Sequence, residues 1–291
     1  MLDFGNVVTA MVTPFNEDGS LDLEAAVRLA KYLVAHGTDT ILVSGTTGES
    51  PTLSKDEKMV LLKTLKDSVS VPIMVGSSSN DTADSVITSQ LAEKNGADAL
   101  LLVVPYYNKP NAKGLTMHFQ SIARSTHLPC MLYNIPGRTG INMDVETIVA
   151  LSEEKNIIGL KAASGNLDQI TRVRLQTSPS FSIYSGDDAL TLPILSLGGR
   201  GVVSVASNVI GNPIQKMVSA YHEADIQAAQ KEFLYLYPFF KAMFVESNPI
   251  PVKYAASLLG LLKPIFRLPM IDPDEDTKLY IEEMMHRYQL I

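Results

Sequence analysis

Residues 157–161 read Ile-Ile-Gly-Leu-Lys, a short apolar run that ends in a lysine and is followed by the small residues Ala-Ala-Ser-Gly at 162–165. A run that is apolar throughout, rather than at every second position, is typical of a strand buried on both faces of a parallel sheet. Lysine is rarely placed where its ammonium cannot reach water. The run therefore predicts a buried parallel strand with an unusual residue, Lys161, at its carboxyl end.

Seven further apolar runs of this kind alternate with longer amphipathic segments. Eight runs in order, with seven helices between them and another after the last, predict an α/β chain folded as a (β/α)₈ TIM barrel. The alternative is an open doubly wound sheet, but the glycine-rich fingerprint expected after its first strand is replaced by Thr13-Pro14-Phe15. The runs before and after 157–161 are 7–12, 40–43, 72–75, 99–104, 130–133, 181–184 and 201–205.

Local signals place the helices between these strands. Ser54 and Glu57 have the spacing of a capping box, which predicts a helix start. Gly96 is suited to end the helix predicted from Thr82. After the barrel, predicted as a domain of residues 1–224, the pattern indicates a helical extension over 225–291, with helices at 225–245, 251–260 and 273–289.

Composition excludes several classes of protein. The 291 residues are 46% hydrophobic and carry a net charge of −7, which argues against a nucleic-acid partner. The single cysteine, Cys130, excludes a disulfide framework. The first ten residues lack the basic and apolar regions of a signal peptide, and the longest apolar run, 99–104, is too short to span a bilayer. We expect a soluble cytoplasmic protein without a membrane partner.

Polar motifs follow several of the predicted strands. In a barrel of this class, chemistry takes place at the carboxyl ends of the strands, so these motifs should converge on one rim. They are Gly-Thr-Thr-Gly-Glu-Ser at 45–50, Pro-Tyr-Tyr-Asn at 105–108, Tyr-Asn-Ile-Pro-Gly-Arg-Thr-Gly at 133–140 and Ser-Gly-Asp-Asp at 185–188.

Each candidate residue has a functional and a structural interpretation. A buried Lys161 would have a lowered pKa, and its neutral amine could attack a carbonyl to form a Schiff base; alternatively its head reaches the surface or pairs with a carboxylate. The loop 45–48 suits a carboxylate or phosphate, or is an ordinary turn. Arg138 could hold a substrate carboxylate or a loop salt bridge, and Tyr133 could relay protons or simply be buried.

A metal site is not predicted. Asp187 and Asp188 are adjacent, but the five histidines show no ligand spacing with them. We interpret the aspartate pair as capping residues.

Taken together, residues 45–50, 133–140, 159–161 and 244–253 resemble the dihydrodipicolinate synthase family of pyruvate-dependent Schiff-base lyases, over about residues 5–270. The resemblance implies 4-hydroxy-tetrahydrodipicolinate synthase activity, the condensation of pyruvate with aspartate 4-semialdehyde in lysine and diaminopimelate biosynthesis. It also implies that no metal or organic cofactor takes part, because the covalent pyruvate imine on Lys161 is the electron sink.

The resemblance further implies roles for the rim residues. Lys161 would form the imine, while Tyr133 would relay protons through Thr46 to Tyr107, which in this family reaches in from a neighbouring subunit. The chain would therefore form a homo-oligomer, either a dimer or a tetramer built as a dimer of dimers. The residues implied to bind substrate are Thr47 for the pyruvate carboxylate, Val203 and Gly186 beside the same ligand, and Arg138 for the carboxylate of the second substrate.

Two departures from the family pattern matter. Ala162 follows the lysine where the family usually has glutamate; this position is expected beside the site rather than in it. Lysine-inhibited members carry histidines at the positions of Lys55 and Lys58, and glutamate at that of Asp84. The sequence therefore predicts a degenerate regulatory site with weak or absent inhibition by lysine. The other residues implied for that site, Ser50, Asn80 and Tyr106, are retained.

Two alternatives stay open. Sister Schiff-base lyases, such as N-acetylneuraminate lyase or keto-deoxy sugar acid aldolases, share the lysine and the tyrosine but lack the Arg138 motif. A non-catalytic ligand-binding barrel is the alternative from another class, and the presence of Lys161, Tyr133, Thr46 and Tyr107 argues against it.

Overall fold

The computed structural model describes residues 3–291 and contains a closed barrel of eight parallel strands in chain order. The first strand pairs with both the second and the last, with Val8 opposite Thr40 on one side and Val203 on the other. The predicted TIM barrel is confirmed. Its strands are β1 Val7–Ala10, β2 Thr40–Val43, β3 Ile73–Gly76, β4 Ala99–Val103, β5 Cys130–Asn134, β6 Ile157–Ala162, β7 Ser182–Ser185 and β8 Gly201–Ser204.

Helices cover the outside of the barrel. The capping box at the second helix is confirmed, since Ser54 Oγ accepts from the Glu57 N–H at 3.2 Å and a Glu57 carboxylate oxygen accepts from the Ser54 N–H at 2.8 Å. The helices are α1 Leu23–Ala35, α2 Lys55–Lys66, α3 Thr82–Lys94, α4 Ala112–Ala123, α5 Pro136–Thr139, α6 Val145–Ser152, α7 Leu167–Gln176, α8 Thr191–Ser196 and α9 Ser207–His222.

The apolar residues form two packed layers. Val8, Leu42, Met74 and Val203 belong to a cluster with members from all eight strands, which fills the inside of the barrel. A larger cluster lies between the strands and the helices and includes side chains that alternate with the first set along each strand, such as Ile41. Burial on both faces explains why the strand sequences are continuously apolar.

The sixth strand carries a bulge that decides where its lysine points. Cys130 of β5 pairs with Ile157, but the next residue, Met131, pairs with Gly159, so Ile158 is an extra residue in β6. Side chains alternate between the two faces of a strand, and one inserted residue reverses that alternation. As a result Lys161 faces the barrel interior.

Three helices follow the barrel and lie where the extension was predicted: α10 Ile226–Ala242, α11 Ile250–Leu258 and α12 Glu275–Arg287. The extension is joined to the barrel by a buried ion pair, in which Lys253 Nζ lies 2.7 Å from Glu49 Oε1 with both side chains excluded from solvent. The Lys253 ammonium also lies over the rings of Phe15 and Phe266, at 4.3 and 4.9 Å from their centroids. The loop after β2 is thus held by residues far along the chain.

Within residues 3–291, no helix combines the length and the apolar character needed to cross a membrane.

Candidate active site

Lys161 lies at the carboxyl end of β6 with only 4% of its surface exposed. Its partner in the neighbouring strand is Tyr133, and the lysine Nζ lies 4.2 Å from the centroid of that ring. Burial lowers the pKa of Lys161 to about 7; the Asp188 carboxylate opposes this shift and the Arg138 guanidinium adds to it. Much of this amine is therefore neutral near pH 7, as a nucleophile requires.

Tyr133 is a protonated phenol at neutral pH. Burial raises its pKa to about 12, while the Arg138 charge and the Thr46 hydroxyl act in the opposite direction. A phenol of this kind can donate a proton to a developing negative charge and take it back. The structure places it directly beside the Lys161 amine.

Gly186 and Val203 complete the surroundings of the lysine. The Gly186 N–H donates to the Ala162 carbonyl at 2.8 Å, which brings its backbone against the Lys161 side chain. A Cβ at position 186 would lie 3.0 Å from Lys161 Cγ and 3.1 Å from Cε, closer than ordinary contact. Val203 is fully buried in β8 as part of the cluster that includes Tyr133. At position 186, therefore, only glycine allows the Lys161 side chain to keep its present position.

The loop after β2 forms a tight turn at the same rim. Gly48 and Glu49 donate their N–H groups back to the carbonyls of Gly45 and Thr46, both at 3.1 Å. The N–H groups of Thr46 and Thr47 have no acceptor within residues 3–291. Two free backbone donors in succession form a concavity suited to a carboxylate.

Arg138 lies in the short helix α5 and is exposed, with its guanidinium at the mouth of the site. Its Nη2 donates to the main-chain carbonyl of Asn248 at 3.1 Å. No carboxylate within 4 Å pairs with it in the described part of the chain. The loop salt bridge considered for Arg138 is therefore not found, and its charge is available to a ligand.

A cavity of about 510 Å³ connects the predicted catalytic and regulatory residues. Thr46, Tyr133 and Arg138 line one part of it. The other part contains an ion pair between Lys55 Nζ and an Asp84 oxygen at 2.5 Å. The predicted regulatory residues that line the cavity are Ser50, Lys55, Lys58, Asp84 and Tyr106.

Six predicted site residues are not among those that line the cavity: Lys161, Thr47, Tyr107, Gly186, Val203 and Asn80. Asn80 reaches it indirectly, since its Nδ2 donates to the Tyr106 carbonyl at 3.2 Å. Tyr107 is 89% exposed on the protein surface, with a φ of 75°. Within a single chain the structure does not bring Tyr107 to Lys161.

Ala162 lies beside the site, as expected. It follows Lys161 in β6, so its side chain faces the opposite way and packs in the layer between strands and helices. The side chain at this position therefore does not contribute to the interior of the barrel.

The Asp188 charge acts on Lys161, an effect that the sequence interpretation missed. Asp187 caps a short 3₁₀ turn, accepting from the Ala189 N–H at 2.9 Å, so the capping interpretation is confirmed for this residue. Asp188 is buried and accepts from the Ser204 hydroxyl and from the N–H groups of Val205 and Ala206, both at 3.1 Å. Burial raises its pKa to about 6. The two adjacent aspartates are recognisable in the sequence. They lie far from Lys161 along the chain, however, so the sequence does not reveal that the Asp188 charge acts on the Lys161 amine.

Asn248 was also missed, although it lies in the segment 244–253 that supported the resemblance. Its Nδ2 donates to Thr47 Oγ1 at 3.0 Å, and its main-chain carbonyl accepts from Arg138. It therefore contacts both residues predicted to bind carboxylates. Among residues 3–291, no group of three or more His, Cys, Asp or Glu side chains is arranged to hold a metal ion.

Known proteins resemble this chain over its whole length. A relative from Desulforudis audaxviator named 4-hydroxy-tetrahydrodipicolinate synthase is 47% identical over 292 residues, which cover 100% of this chain and 99% of the relative. The crystal structure of a dihydrodipicolinate synthase from Bacillus anthracis has a TM-score of 0.96 and 42% identity, covering 98% of this chain and 99% of that one. The lysine-bound enzyme from Cyanidioschyzon merolae has a TM-score of 0.96 and 45% identity, covering 99% of both chains.

A family model agrees with these likenesses. It carries the description "Dihydrodipicolinate synthetase family" and matches residues 3–287. The resemblance carried by residues 45–50, 133–140 and 159–161 is thereby confirmed, and with it the lyase class. The chain belongs to the dihydrodipicolinate synthetase family.

Proposed function

We propose that the protein is a 4-hydroxy-tetrahydrodipicolinate synthase that condenses pyruvate with aspartate 4-semialdehyde. The observation that carries this proposal is a buried lysine with a pKa of about 7, facing a protonated tyrosine at the carboxyl rim of the barrel. Full-length relatives of that name support it.

The reaction begins on Lys161. Its neutral amine attacks the keto carbon of pyruvate, and loss of water gives an imine. The imine makes the pyruvate methyl group acidic, and loss of one proton gives an enamine. The enamine carbon then attacks the aldehyde carbon of the second substrate, whose oxygen takes up a proton. Tyr133, as a phenol beside the amine, is suited to donate and recover these protons.

The last step frees the enzyme. The amine of the condensed substrate attacks the imine carbon, closes the ring and displaces the Lys161 amine. The imine is the electron sink throughout, so the chemistry calls for no metal or organic cofactor.

Two parts of the site are suited to bind the carboxylates of the two substrates. The free N–H groups of Thr46 and Thr47, with the Thr47 hydroxyl, suit the pyruvate carboxylate. The Arg138 guanidinium at the mouth of the cavity suits the carboxylate of the semialdehyde, since its fork matches a carboxylate bidentately. We also assign catalysis to the barrel of residues 1–224 and its support to the extension of residues 225–291.

The active site is completed by a second subunit in this proposal. Tyr107 extends from the surface with 89% exposure, which is unusual for a tyrosine unless a partner covers it. In a homodimer, or a tetramer of two such dimers, it joins the proton path from Tyr133 through Thr46.

The proposal is tested by trapping the imine. Borohydride added to the enzyme with pyruvate should reduce the imine and leave a stable adduct on Lys161, detected by mass analysis of peptides. Lys161→Arg keeps a cation but cannot form the adduct and serves as the control. If Lys161 stays unmodified, only the non-catalytic binding function remains. If the adduct forms but the protein turns over sialic acid instead of aspartate semialdehyde, it is a sister lyase.

A further inference from the structure

Asn248 lies between the two predicted carboxylate sites, and its contacts are unusual for a structural asparagine. Only 4% of it is exposed. Its side chain bonds to Thr47 and its main chain to Arg138, across sequence separations of 201 and 110 residues. The extension thus supplies one residue that touches both groups proposed to hold substrate.

The direction of the side-chain bond matters. Asn248 Nδ2 is the donor, so a lone pair of the Thr47 oxygen is occupied at 3.0 Å. The hydroxyl of Thr47 has one proton, and no acceptor for it is found in residues 3–291. This proton is therefore free to point towards the concavity formed by the backbone N–H groups of Thr46 and Thr47.

The other end of the same carboxamide is unsatisfied. Asn248 Oδ1 is buried and has no hydrogen-bond partner within the described chain. A buried polar atom without a partner destabilises the fold, so an asparagine whose task is only structural would be a poor choice here. The unpaired oxygen is explained if the substrate site requires the Nδ2 donor of the same carboxamide, which bonds to Thr47.

We propose that Asn248 is a positioning residue for the pyruvate carboxylate. By donating to Thr47 it turns the Thr47 proton towards the carboxylate, and through its carbonyl it fixes the Arg138 side chain at the neighbouring site. The inference rests on the proposed function, because it takes the ligand of Thr47 to be pyruvate.

Asn248→Asp is the sharpest test, since it keeps the shape of the side chain. An aspartate oxygen accepts from the Thr47 hydroxyl instead of donating to it, and it adds a negative charge beside the bound carboxylate. The pyruvate concentration that half-saturates borohydride trapping should rise roughly tenfold or more, because a hydrogen bond to a charged group is lost. The maximal extent of trapping should remain near that of the wild type.

A double-mutant cycle separates positioning from packing. Asn248→Ala should raise the half-saturating pyruvate concentration in the wild-type background and have little further effect in Thr47→Val, where no hydroxyl remains to be oriented. If the two effects multiply in full, Asn248 acts independently of Thr47 and the inference is wrong.

Asn156→Asp is the matched control. Asn156 precedes β6 at the opposite end of the barrel, and its Nδ2 donates to the carbonyls of Ala123, Thr126 and Leu128. The change should lower the unfolding temperature and leave the half-saturating pyruvate concentration unchanged. An unchanged half-saturating pyruvate concentration in Asn248→Asp would overturn the role of Asn248 and leave the proposed function standing. Absence of any adduct in the wild type would overturn the proposed function itself.

Discussion

Lys161 faces the barrel interior because β6 contains one residue more than the strand beside it. Without Ile158 as the extra residue, the alternation of side chains would place Lys161 towards the helices and Leu160 in the interior. Burial of the amine then lowers its pKa to about 7. A backbone irregularity three residues away therefore controls the chemistry of this side chain.

The Asp188 carboxylate should set the pH at which Lys161 becomes reactive. Its negative charge favours the ammonium form, so Asp188→Asn should lower the pKa of Lys161 below about 7. The initial rate of pyruvate trapping should rise with pH through about 7 in the wild type and at lower pH in the variant. Below the Asp188 pKa of about 6 the two proteins should converge.

Asp187→Asn is the neighbouring control, because Asp187 does not itself perturb the pKa of Lys161. Its charge raises the pKa of Asp188, so its removal keeps Asp188 ionised and should leave the midpoint near pH 7. A midpoint that stays in place or moves to higher pH in Asp188→Asn would contradict the prediction.

Gly186→Ala should disable the lysine without removing it. The new Cβ would lie 3.0–3.1 Å from two carbons of the Lys161 side chain and 2.9 Å from Ala163 Cβ, so the lysine must move. We expect the rate of adduct formation to fall by about tenfold to a hundredfold, since small displacements of a reacting group are costly. Gly137→Ala, where a Cβ meets nothing within 4 Å, should keep the wild-type rate.

At the scale of elements, the strands were predictable and their mutual contacts were not. The run 40–43 coincides with β2, and the run 201–205 exceeds β8 by a single residue. These runs are visible because strands buried on both faces contain little but apolar residues. The bulge in β6 and the bond from Asn248 to Thr47 depend on tertiary contacts, which leave no local pattern in the sequence.

The charged residues at the start of α2 predict how strongly the cavity binds free lysine as an inhibitor. Lys55 is paired with Asp84, which also accepts a bond from the Ser79 hydroxyl at 3.1 Å. Burial and the neighbouring Lys55 lower the pKa of Lys58, while Asp84 raises it. The ammonium group of a bound lysine molecule would meet the net positive charge of Lys55, Lys58 and Asp84. We therefore expect free lysine to inhibit weakly or not at all. Clear inhibition in a titration at sub-millimolar lysine would contradict this.

At the scale of the whole molecule, the proposed role of the exposed Tyr107 predicts that activity depends on a second subunit. Mixing Lys161→Ala with Tyr107→Ala, each nearly inactive alone, should restore about one quarter of the wild-type activity, because half of the random dimers contain one intact site of two. The mixture must be unfolded and refolded together so that the subunits exchange.

Refolding each variant separately before mixing is the control, and it should give no recovery. No recovery after joint refolding, or full activity in a strictly monomeric form, would show that each chain contains a complete site.

The contacts between the loop after β2 and the extension have a consequence for synthesis on the ribosome. Glu49 and Thr47 are made early, but their partners Lys253 and Asn248 follow 204 and 201 residues later. All eight strands are therefore synthesised while Glu49 still lacks its cation and Thr47 its donor. The contacts that hold the loop after β2 can therefore form only after residue 253 has emerged from the ribosome.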